Sequence, residues 1–109
     1  MEQPFQKPPA SYLDIFHSAQ AKLVEGDIDE GRRILSQAIE AGAGEQDIQD
    51  FVWYMKGTEA YLNKDEVALQ EAIENVQQPV NVGILQNFLS KLQSGQELNY
   101  SQDYGQGKL

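Results

Sequence analysis

The sequence predicts an all-α fold: a short right-handed stack of two helix hairpins closed by a C-terminal capping helix. Three observations predict it. Apolar residues recur at three- and four-residue spacings in five successive segments. Gly, Asp and Pro signals of the kind that start and stop helices separate those segments, and no segment reads as a strand. Finally, Leu35-Ser36-Gln37-Ala38-Ile39-Glu40 returns 34 residues later as Leu69-Gln70-Glu71-Ala72-Ile73-Glu74, a period in the range of helix-hairpin repeats.

The first helix opens at Ser11, whose hydroxyl suits an N-cap, with Asp14 three residues on to complete a capping box. Tyr12, Phe16, Ala19 and Leu23 then share one face, and Gly26 permits the left-handed stop. Asp27 caps the second helix, where Ile28, Gly31, Leu35, Ala38 and Ile39 form the buried stripe. Gly31 costs about 1 kcal/mol of helix propensity against alanine, which close approach of a neighbouring helix offsets. The third helix runs from Gln46 to Asn63. Its apolar residues, from Ile48 through Trp53 and Tyr54 to Leu62, cover so wide an arc that it is buried on two sides, or has one buried and one functional face. Asp65 caps a fourth helix that Pro79 closes, since proline disfavours a helical residue before it. Asn81 caps a fifth, with Ile84, Leu85, Phe88, Leu89 and Leu92 on one side. Replacing Ala38 or Ala72 with a larger side chain is expected to overpack equivalent positions.

The chain has 109 residues, enough for one domain. Residues 1–10 are expected to form a flexible, proline-rich lead, 11–94 the helical repeat domain, and 95–109 a disordered tail whose composition of Gln, Gly, Ser, Asn, Asp and Tyr offers little to bury. The absence of cysteine excludes disulfides and thiolate metal sites. The first ten residues do not read as a secretory signal and no apolar run reaches the ~20 residues that span a bilayer, so the sequence predicts a soluble, cytoplasmic protein with no membrane partner. Its 17 acidic and 8 basic residues give a net charge of −9, a field that repels phosphate and argues against nucleic-acid binding.

The repeat resembles the tetratricopeptide family. Ala19 matches the small position of that family's first helix, Gly26-Asp27-Ile28 its turn, Gly31 the small position of its second helix, and Leu35 with Ala38-Ile39 its closing pattern. In the second unit Trp53 and Gly57 match the family's Trp and Gly, and Tyr61 lies one past its tyrosine. Anchoring on Trp53 puts Ala72-Ile73 out of register, so the turn before Asp65 is shortened or the preceding helix extended. The resemblance covers Tyr12 to Gln77, with the fifth helix as a solvating cap; the rival reading is an irregular four- or five-helix bundle. It implies that the first helices line a concave groove, with partner-binding positions at Phe16, Gln20, Leu23, Tyr54, Thr58 and Tyr61. The family's carboxylate-clamp members place Lys and Asn at some of these positions. Phe16, Gln20, Tyr54 and Thr58 stand here instead, so an acidic C-terminal peptide is a poor match, and an apolar or basic segment fits better.

No constellation for catalysis is evident, so an enzyme is not expected, nor is any cofactor or metal. His17 is the single histidine, without a spaced partner for metal binding. Carboxylates at Asp27, Asp29, Glu30, Glu45, Asp47, Asp50, Asp65 and Glu66 gather at helix starts, where the helix dipole accounts for them. Asp27-Ile28-Asp29-Glu30-Gly31 lacks a calcium loop's closing glutamate, its twelfth position being Ala38. Gly42-Ala43-Gly44 lacks the Lys-Ser/Thr of a phosphate loop, and Gly107-Lys108-Leu109 is a weak likeness of a peroxisomal address. The sequence therefore points to a protein-interaction module, an adaptor or chaperone-like holder of a partner segment. The alternative is a structural homodimer or a subunit of a larger assembly, burying its aromatic face against a copy of itself.

Overall fold

The computed structural model describes residues 11–108, all helix and connection with no strand among them. Six helices follow in order: α1 (Tyr12–Glu25), α2 (Ile28–Ala43), α3 (Gln49–Leu62), α4 (Glu66–Asn75), α5 (Pro79–Ser94) and α6 (Tyr100–Gly107). A 3-10 turn, Gln46–Ile48, precedes α3. The helices pack as three successive pairs, α1 with α2, α3 with α4 and α5 with α6. In addition α2 lies on α3, α4 and α3 both lie on α5, and α6 reaches back to α1. The expected flexible lead at 1–10 lies outside the described residues, as does Leu109.

Local chemistry sets most boundaries. The side chains of Ser11, Asp27 and Asp65 accept hydrogen bonds from the backbone N–H three residues ahead, at 3.2, 3.3 and 3.1 Å, each satisfying a donor that the first helical turn leaves free. The turns that close α1 and α3 share one geometry. Gly26 (φ 92°) and Lys64 (φ 58°) are both left-handed. The N–H of each donates to the carbonyl three residues back, and the N–H of the following aspartate donates to the carbonyl five back, Asp27 to Lys22 and Asp65 to Ala60, each at 2.9 Å. This is the Schellman arrangement, with a lysine holding the second turn where glycine is usual.

The turn equivalence corrects the repeat register. Gly26 and Lys64 are 38 residues apart, not 34. Ala38 and Ala72 are both fully buried, as are Leu35 and Leu69, but counted from the caps Asp27 and Asp65 they stand one helical turn apart. The hexapeptide repeat thus marks the same packed face of α2 and α4 at staggered heights. Gly31 has the predicted close neighbour: a Cβ there would run into the Leu23 side chain of α1.

Two boundaries differ from expectation. Pro79 does not close α4, which ends at Asn75 with Val76 extended. It opens α5 at the first-turn position, behind the cap Gln78, where its missing N–H costs nothing. The expected cap Asn81 instead donates its backbone N–H to the Gln78 side chain at 2.8 Å. The third helix is shorter than expected at its start, with Gln46–Ile48 wound as the 3-10 turn.

The larger correction concerns residues 95–109. The described part of this segment is not a disordered tail: after a connector at 96–99 it forms α6, capped by Asn99, which accepts from the Gln102 N–H at 3.1 Å. Tyr100 and Asp103 are buried. Gly107 sits so close to α5 that a Cβ there would come within 2.6 Å of the Ile84 Cα. The fifth helix is therefore the first member of a third hairpin and not an exposed cap. Intrinsic propensity opposes α6, and long-range contacts override it.

Ala38→Leu and Ala72→Leu should each lower stability by about 1–3 kcal/mol, because neither site has room for added methylenes. Urea unfolding midpoints indistinguishable from that of the parent chain would show that these faces are not closely packed.

Candidate functional site

Of the six expected groove positions, Phe16 and Tyr54 are in contact across α1 and α3, and Gln20 and Tyr61 both bond to α6. In the 38-residue register of the turns the six correspond in sequence, Phe16 to Tyr54, Gln20 to Thr58 and Leu23 to Tyr61, one from α1 and one from α3 each time. Phe16 meets Tyr54 edge-on with centroids 5.8 Å apart, and Phe51 at 5.2 Å. Thr58 donates its hydroxyl to the Tyr54 carbonyl at 3.2 Å, one turn back in its own helix. Yet Phe16, Leu23, Tyr54, Thr58 and Tyr61 are all buried, and only Gln20 keeps partial exposure. The face that the sequence marks for a partner is part of the core.

What covers its Leu23–Tyr61 end is α6. Tyr100 lies against Tyr61 and Phe88, with centroids at 6.5 and 6.0 Å, and stacks on Tyr104 at 5.6 Å. Its hydroxyl accepts from the Gln20 side-chain amide at 2.9 Å. Asp103, with no exposed surface, accepts from the Tyr61 hydroxyl at 2.5 Å and from the Asn99 N–H at 3.2 Å, both on Oδ2. Its Oδ1 makes no hydrogen bond but faces the Lys91 ammonium at 3.3 Å. Asn87 donates to the Asp103 backbone carbonyl at 2.8 Å. Groups from α1, α3 and α5 thus converge on one short helix.

Burial pushes the Tyr54 and Tyr100 phenols above the ordinary range, Tyr54 also feeling the neighbouring tyrosines and Tyr100 being partly relieved by Gln20. Tyr61 is pushed up first by burial and then by its bond to the Asp103 carboxylate. A proton on any of these oxygens is held more tightly in the folded chain than in the unfolded one.

The cover is incomplete at the start of α6. A cavity of about 210 Å³ is lined by residues that include Ile28, Tyr61, Lys64 and Leu98. A second of about 320 Å³, lined by residues that include Leu23, Val24 and Asn99, shares Ile28, Leu98 and Tyr100 with it. Elsewhere, Trp53 is half-buried on the α2–α4 side of α3 with the Lys56 ammonium 4.6 Å above its ring. A cleft of about 420 Å³ there is lined by residues that include Ile39, Glu59 and Glu71.

Tyr100, Asp103, Asn87 and Lys91 were not among the residues the sequence singled out as a site. The signal for the first two was present: Tyr100, Asp103 and Tyr104 share a helical face behind the capping-type residue Asn99. Asn87 and Lys91 sit one turn apart on α5, with nothing local to mark them. Among the described residues no three His, Asp or Glu side chains group so as to hold a metal ion, and no helix is long and apolar enough to cross a membrane. No family model, curated protein or solved structure matches the chain.

The raised phenols make a pH prediction. Their stabilisation is present in full below the unfolded phenol value of about 10 and is lost as pH rises above it. Phenolate absorbance from Tyr54, Tyr61 and Tyr100 should therefore appear together with loss of helical circular dichroism in alkali, and Tyr61→Phe should remove its share of the amplitude. Phenolate from these three residues in a chain that stays fully helical would contradict the packing described.

Proposed function

We propose that the chain is a protein-interaction module whose groove between α1, α3 and α5 holds a helical segment of a partner, α6 occupying that groove in the partner's absence. One observation carries this reading. The groove binds a helix whose own sequence hardly favours one: α6 has eight residues, two of them glycine, well below the ~12–15 at which isolated helices become even marginal. Its helicity comes from the surface it lies on, through aromatic contacts and polar bonds to three other helices. A surface that orders a weak helix is suited to ordering a better one. The tetratricopeptide resemblance supports the same face, since it puts Gln20 and Tyr61 among the groove positions.

The test uses the full chain with a photo-crosslinking side chain at Gln20, alone and combined with Tyr100→Ala/Gly107→Ala, which frees α6. In native cell extract the freed chain should crosslink through position 20 to a segment of another protein, with at least a severalfold higher yield than the parent. The same probe at Lys56 should not show that gain. Crosslinks from position 20 only to a second copy of the chain would replace the module reading with self-assembly. A partner captured from position 56 regardless of α6 would move the site to the Trp53 side.

A further inference from the structure

We infer that the groove selects a helix carrying an aromatic residue and an acidic residue three positions on, the pattern that Tyr100 and Asp103 present from α6. The inference rests on the groove reading above and names the chemistry of the partner. The chain's net charge of −9 argues for a basic segment, but the groove's own lining argues otherwise. Every groove side chain that hydrogen-bonds or ion-pairs with α6 does so as a donor or a cation: Gln20 to the Tyr100 hydroxyl, Tyr61 to the Asp103 carboxylate, Asn87 to the Asp103 carbonyl, and Lys91 beside Asp103. They stand on α1, α3 and α5, so the scaffold itself presents them.

Packing alone does not call for this arrangement. A leucine in place of Asp103 could fill space without bringing a charge out of water, and buried ion pairs add little net stability over apolar side chains. What such a pair does provide is discrimination: a helix with an apolar or basic residue at that point leaves the fully buried Tyr61 hydroxyl without an acceptor, which is heavily penalised, and a basic residue would also meet the Lys91 ammonium. The carboxylate is also met at one defined position, because Tyr100 fixes the helix lengthwise through Gln20 and Gly107 fixes its far end against Ile84.

The experiment titrates a fluorescent peptide of residues 96–109 with the full-length parent chain and with the full-length Tyr100→Ala/Gly107→Ala chain. The second should bind the peptide at least about tenfold more tightly, since a tethered helix competes at an effective concentration on the millimolar scale. Asp103→Ala in the peptide should lose at least about tenfold, and Lys91→Met in the freed chain should reduce the preference for Asp over Ala. Equal binding of the Asp and Ala peptides would overturn the acidic selectivity while leaving the groove reading intact. No binding to a freed chain that retains its α1–α5 helicity would sink the groove reading itself. Should the double variant unfold, the parent chain decides. Saturating peptide should speed amide exchange across residues 99–107, and unchanged protection there would overturn the proposal.

Discussion

Tyr61 has no exposed surface, so its hydroxyl must find an acceptor inside the protein or bear the full cost of desolvation. The acceptor is the Asp103 carboxylate, and that choice sets the next requirement. A carboxylate without solvent needs donors and a cation, which Asn99 and Lys91 supply. Lys91 stands on α5 and Tyr61 on α3, so the only place for Asp103 is over the seam between them, and α6 must lie across that seam. Gln20 then ties the start of α6 to α1. One buried phenol thereby propagates into the placement of a whole helix and links three of the other helices to it.

Equivalent Schellman turns at Gly26 and Lys64 return the chain after α1 and after α3, and Phe16 of α1 meets Phe51 and Tyr54 of α3. Small residues at matched heights, Ala19 and Gly57, are both buried. At Gly57 the neighbours are Leu85 of α5 and Ala72 of α4, and an added Cβ would crowd both. The third helix is consequently enclosed by α2, α4 and α5 at once, which explains why its apolar arc is too broad for a single contact face. That breadth was readable from residues 48–62 as burial on two sides or as one functional face. The structure answers with burial along Tyr54, Met55, Thr58 and Tyr61 and leaves Trp53 at the rim.

Local signals were the legible part. Ser11, Asp27 and Asp65 cap as their side chains dictate, because an N-cap is decided within four residues. Pro79 was ambiguous on the same scale: a proline suits both the stop of one helix and the first turn of the next, and here α4 has already ended at Asn75 when Pro79 opens α5. The hexapeptide repeat correctly marked a packed face, but a stagger of one turn keeps the same face, so the pattern could not reveal the 38-residue spacing of the two turns. Of the candidate groove, the burial-prone character was legible: Phe16, Leu23, Tyr54, Thr58 and Tyr61 are core residues, and Gln20 stands at their edge. Its occupant was not legible, because the order in residues 100–107 is supplied by Tyr61, Phe88 and Lys91, distant in sequence, and composition alone argues against it.

On the proposed reading, the weakness of α6 is what would keep the groove usable. Ordering a residue's backbone costs about 1–2 kcal/mol, and across the eight residues of α6 that opposes a few aromatic contacts and one ion pair. With its tether short, α6 nevertheless competes as though present at about millimolar concentration. A partner at about micromolar concentration must then exceed the intrinsic affinity of α6 by roughly a thousandfold, or about 4 kcal/mol. The cavities of about 210 and 320 Å³ beside Leu98 and Tyr100 adjoin the start of α6. Burying one leucine- or phenylalanine-sized side chain yields about 1.5–3 kcal/mol, so two anchors there reach the margin. A stronger helix former in place of α6, or a tail that filled those cavities itself, would hold the groove shut against any such partner.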